Sequence, residues 1–168
     1  MKPTKKKTTS RGAAYHEAGH AVVAWHLGVA VKSVSIVSNG DCLERRRHGS
    51  VNQRKYPEPS GSLRSVARMQ EQVMIFLAGL IAQSMFSPGS GRSSQAPADR
   101  DEAGDIASHL TSSDEEREAL IGWLETRTRG ILRLHSDLVE SLTKELLAKG
   151  SLQGVEVERL LRESSHEA

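Results

Sequence analysis

Cysteine is nearly missing from this chain: Cys42 is the only one in 168 residues. An internal disulfide is excluded, and a reducing, cytoplasmic setting is expected. A dominant charge sign is missing too, since 23 Lys and Arg stand against 21 Asp and Glu for a net charge of +2. That balance is too weak to argue for a nucleic-acid partner. The densest basic run, Arg45, Arg46, Arg47, Arg54 and Lys55, has only Tyr56 as an aromatic neighbour and reads as a solvated loop, so nucleic-acid binding is disfavoured. There is no long apolar run. The longest low-charge stretch, Gln72 to Phe86, is too short and too interrupted to span a bilayer, and no membrane contact is expected. The lysines of the opening MKPTKKK are not followed by an apolar segment, so no secretory leader is expected. No internal repeat is present.

With 37% hydrophobic and 26% charged residues, the composition suits one domain over residues 11–164 behind a disordered basic tail, 1–10. Helical spacing dominates. A first helix is expected from about Arg11 to Leu27, stopped by Gly28. VKSVSIV, residues 31–37, alternates as a half-buried strand, and Asn39 and Gly40 mark a turn after it. Residues 41–61 are polar and form a loop, with a short second strand around Gly49 to Gln53. From Ser62, the spacing of Leu63, Val66, Val73, Met74, Leu77, Leu80 and Ile81 predicts a long amphipathic helix, broken by SPGSGRSSQAP at 87–97. Another helix is expected from near Asp99. Helical patterns cover 114–149, with Gly130 as the candidate break, and a last short helix follows Gly154.

One stretch carries chemistry. AAYHEAGHAVVAWH, residues 13–26, places His16, Glu17, His20 and His26 among small and apolar neighbours. On a helix, His16 and His20 share a face about one 5.4 Å turn apart, so both imidazoles can close on one ion. Zinc accepts such nitrogens at about 2.0 to 2.1 Å, and its catalytic sites use three protein ligands. Glu17, beside the first histidine, can reach water at the ion without displacing a ligand. This is the H-E-x-x-H arrangement of metalloproteases. A solvated helix that merely carries two histidines is the weaker reading. The flanking Ala13, Ala14, Ala18, Gly19, Ala21, Val22, Val23 and Ala24 mark a buried helix, and buried imidazoles need partners.

A third ligand must come from elsewhere. His26 has the spacing of a longer signature that places glycine seven residues after the first histidine, but Val23 stands there, so the helix continues and turns His26 away. Asp41, His48, Asp99, Asp101, Glu102, Asp105 and His109 have suitable chemistry. Asp99 shares a helical stripe with Ala103, Ile106 and Leu110, whereas Asp101 and Asp105 align with Ser108 and Ser112. Asp99 with Glu102 also reads as a helix cap with its capping-box partner.

AAYHEAGHAVVAW, VKSVSIV, FLAGLIAQSMF, ADRDEAGDIA and HSDLVESLTKELLAKGSLQGVEVERLL together resemble the peptidase domain of the FtsH-type zinc metalloproteases, over roughly residues 11–162. The resemblance implies that Asp99 is the third zinc ligand beside His16 and His20, although Ala98 stands where the family has Asn. It implies a mainly α fold of the α+β kind: a zincin-like active-site helix, a small β element and a C-terminal helical bundle. The implied activity is zinc-dependent hydrolysis of internal peptide bonds, with Glu17 as general base to a metal-activated water. Strand 31–37 is a candidate edge for pairing with extended substrate. No G-x-x-x-x-G-K-[ST] motif occurs, so a free-standing peptidase domain is expected, with a polypeptide substrate and with a separate ATPase or adaptor and self-association as further candidates. The alternative is a catalytically weak peptide-binding or regulatory module that keeps the fold and the zinc.

Overall fold

The computed structural model describes residues 11–37, 62–90 and 96–165. The expected strand at Gly49 to Gln53, the basic run at Arg45 to Lys55 and the candidates Asp41 and His48 lie outside them. The described residues are mainly helical with one small antiparallel sheet: α1 (Arg11–His26), β1 (Ser33–Ser35), α2 (Leu63–Phe86), α3 (Ala96–Ser108), α4 (Asp114–Leu134), α5 (Ser136–Lys149), β2 (Ser151–Gln153) and α6 (Gly154–Ser165). None of the described helices is long and apolar enough to cross a membrane.

Helix α1 is buried on nearly every side, as its alanines and valines dictate, with Ala14, Ala18, Val22, Val23 and Ala24 all at 0% exposure. It stops where expected. Gly28 takes φ 73 and donates to the Trp25 carbonyl, while the Val29 amide reaches back to Ala24 at 2.9 Å. This pattern satisfies carbonyls that the helix end would leave bare. Helix α2 lies along α1 and buries Met69, Val73, Met74, Leu77, Ala78, Ile81 and Ala82. Leu63, counted in its apolar stripe, is instead 90% exposed in the first turn, one residue past the capping Ser62. Helices α3 and α4 pack on α2 and on each other, and α5, α6 and β1 pack on α1.

Three boundaries differ from the sequence reading. Helix α3 begins at Ala96, so Asp99 sits inside its first turn and is not its cap. Pro97 permits this, because first-turn amides have no intrahelical partner to lose. Helix α4 runs through Gly130 and ends at Leu134, where His135, at φ −113 and ψ 31, turns the chain into α5. The buried Leu124, Thr128 and Leu132 hold α4 on one face while Gly130 looks to solvent, so the glycine costs propensity without breaking the helix. The strand expected over 31–37 is confined to Ser33–Ser35. Among the described residues its partner is β2, in the register Ser33↔Gln153, Val34↔Leu152 and Ser35↔Ser151. That register points Val34 and Leu152 together into the core, at 4% and 0% exposure.

Candidate metal centre

Helix α1 supplies His16 and His20 from one face, and the first turn of α3 supplies Asp99. The apolar stripe below Asp99 explains its aim. Ala103 and Ile106, at 0% and 3% exposure, seat α3 in the core, so the position one turn before them points inward. His16 Nε2 stands 2.8 Å from Asp99 Oδ2, His20 Nε2 stands 3.0 Å from His16 Nε2, and His20 Nε2 lies 3.4 Å from Asp99 Oδ2. Three potential ligand atoms thus form a small triangle. Around a tetrahedral ion with bonds of about 2.0 to 2.2 Å, two ligand atoms stand roughly 3.3 to 3.6 Å apart; the His20–Asp99 edge falls in that range and the two edges to His16 are shorter. The group can hold a metal ion.

The surroundings orient these donors. His20 Nδ1 lies 2.7 Å from the Ile75 carbonyl on α2, and donation to that oxygen leaves Nε2 facing the triangle. His16 is fully buried, edge-on to His20 with ring centroids 4.6 Å apart. Its Nδ1 has no hydrogen-bond partner among the described residues. Gly79 on α2 faces both rings: a Cβ there would strike His20 Nε2 and stand 2.7 Å from Cε1 and Nε2 of His16. Near the start of α1, Tyr15 stacks on Phe86 at 5.7 Å, which ties the end of α2 to the turn that carries His16.

Electrostatics sort the three groups. Burial opposes charge on Asp99, but hydrogen bonds from His16 and His20 outweigh it and hold the carboxyl well below its usual range. Burial likewise opposes charge on His20, yet Asp99, Glu17 and the Ile75 carbonyl together push it up to about 9. His16 goes the other way: burial lowers its pKa, and the neighbouring charge of His20 adds to that against the pull of Asp99. Two imidazoles of opposite tendency around one carboxylate suit a site that exchanges a proton for a cation.

No family model matches the chain, and no curated protein matches it.

The other residues singled out in the sequence divide clearly. Glu17 is 8% exposed, directly follows His16 and lies close enough to His20 for its charge to raise that imidazole's pKa. His26 faces His135, with 2.8 Å between His26 Nδ1 and His135 Nε2, as the uninterrupted helix required. Asp101, Glu102, Asp105 and His109 are exposed and outside the triangle. Sequence reasoning missed the Ile75 carbonyl, because a backbone acceptor carries no mark in the residue that bears it. Gly79 carries a signal, a lone glycine inside a long apolar helix, which reads equally as a close helix approach or as a tolerated core glycine. The structure shows which groups approach it.

Proposed function

We propose that the chain is a zinc-dependent metalloendopeptidase whose site is built as in the FtsH-type peptidase domain. The observation that supports this most is the convergence of His16 Nε2, His20 Nε2 and Asp99 Oδ2 within hydrogen-bond distances, with the Glu17 carboxylate beside them on α1. Two nitrogens and one oxygen are a donor set suited to zinc, and a catalytic site keeps the fourth position open. When bound, zinc would supply a Lewis acid that polarises a peptide carbonyl and lowers the pKa of water.

The remaining work falls to the chain. His16, His20 and Asp99 would hold the cation, with His20 kept in one tautomer by the Ile75 carbonyl. Glu17 accepts a proton on its carboxylate oxygen from the water that attacks the peptide carbon, and returns it to the departing amine nitrogen as the C–N bond breaks. An extended substrate can add to β1 along the edge opposite β2, since among the described residues no other strand pairs there.

Glu17→Gln tests the reading, because it removes the base and spares the ligands. Turnover of an unfolded protein substrate by the zinc-loaded variant is expected to fall by about 10²- to 10⁴-fold, with bound zinc unchanged. Equal hydrolysis by parent and variant would remove Glu17 from the chemistry. No hydrolysis by a zinc-loaded parent would favour the binding-module alternative.

A further inference from the structure

We infer that Gly79 is a positioning residue for the metal centre: α2 sets the spacing of the donors by presenting a bare backbone where any side chain would push His16 and His20 out of register. The inference rests on the metal-holding role of the His16, His20 and Asp99 group, and extends it to a residue that contributes no ligand atom.

Of the glycines at the contact between α1 and α2, Gly19 and Gly79 meet different kinds of atom. A Cβ on Gly19 would stand 2.5 Å from the Ala82 Cβ and 2.7 Å from the Ala78 carbonyl oxygen. Neither can swing aside, because one is fixed to the backbone of α2 and the other belongs to it. Close packing leaves only a shift of whole helices, so an added methyl at Gly19 falls on the fold. The three atoms nearest a Cβ on Gly79 all belong to imidazoles, the outer nitrogens of His20 and His16 and the carbon beside one of them. Those atoms lie at the far ends of side chains and can rotate without moving a helix. The displacement then falls on the donors.

The same helix limits where the donors can go. His20 is pinned at Nδ1 by the Ile75 carbonyl, one helical turn before Gly79. Rotating its Nε2 away from a new Cβ costs either that hydrogen bond or the approach to Asp99. His16 is fully buried and has no solvent-side alternative. Ile75 and Gly79 therefore act as a pair: the carbonyl sets the tautomer and ring plane of His20, and the missing side chain leaves room for its tip beside His16. Supports of this kind commonly change metal affinity by about 10- to 100-fold when altered, although they touch no metal.

The test compares Gly79→Ala with Gly19→Ala in the full chain, using Zn2+ for affinity and Co2+ for ligand geometry. Each is titrated into protein stripped with a chelator, and the thermal midpoint of each stripped variant is recorded. Gly79→Ala is expected to lower the thermal midpoint less than Gly19→Ala does, to bind Zn2+ at least about tenfold more weakly, and to weaken or shift the visible bands of tetrahedral Co2+. Gly19→Ala is expected to show the converse, the larger fall in midpoint with the smaller loss of affinity and the smaller change in the Co2+ spectrum whenever it is folded. Parent-like affinity and spectrum in Gly79→Ala would overturn the inference, as would loss of its fold when stripped. A parent that binds neither ion would overturn it together with the metal reading, whereas a parent that binds both ions without hydrolysing peptides would leave it standing.

Discussion

With no ion bound, Asp99 carries its charge and His20 keeps a proton until about pH 9. A divalent ion must displace that proton, because an imidazole ligates only through an unprotonated nitrogen. Zinc affinity is therefore expected to rise by roughly tenfold per pH unit between about pH 7 and 9 and then to level off. A competition titration across that range checks it, and a flat profile would contradict the His20 assignment. Stability of the stripped protein should run the opposite way. The folded pKa of His20 lies above its ordinary 6.5, so the stabilisation from its proton is fully present below pH 6.5 and is lost as pH rises through about 9. Asp99 is depressed from 3.8, so its contribution is present above that value and is lost only in stronger acid. Thermal unfolding of chelated protein at rising pH should show a falling midpoint. The placing of His16 and His20 together on one face of a buried helix was legible in the sequence, because four-residue spacing among small apolar neighbours fixes it. Asp99 was legible only as one candidate among several. Its neighbours give its helical face, but no local pattern shows that the face meets α1.

The apolar stripes of the helices marked their buried faces well, and their ends poorly. Gly130 suggested a break, yet the chain turns at His135, which no propensity marks. Being exposed, with nothing within 4 Å of an added Cβ, Gly130 is a place where the helix carries only a propensity cost. Gly130→Ala should stabilise the protein by about 0.5 to 1 kcal/mol, as read by urea unfolding. A loss of stability would mean that α4 bends there. Strand β2 was invisible beforehand for a different reason. Three residues with Leu152 as their single apolar member cannot establish an alternation, and only pairing with Val34 makes them a strand. Its importance is clear from burial. Leu152→Ala removes a fully buried side chain beneath the sheet and should cost about 2 to 5 kcal/mol in the same assay, whereas a surface-like cost below about 0.5 kcal/mol would contradict the packing.

Across the whole molecule, α1 is the common element: α2, α5, α6 and β1 all pack on it, while α3 packs mainly on α2 and α4. The group at His16, His20 and Asp99 therefore joins the central helix to α3, a contact that sequence order conceals because His16 and Asp99 are 83 residues apart. A cation at this junction would stabilise the arrangement as well as equip it for chemistry. Equilibrium dialysis against zinc, followed by elemental analysis of parent, His16→Ala and Asp99→Ala, tests that claim most directly. About one zinc per chain is expected in the parent, with at least about tenfold weaker retention in each variant. A parent that emerges without zinc, or an Asp99→Ala chain that holds it as tightly as the parent, would contradict the account.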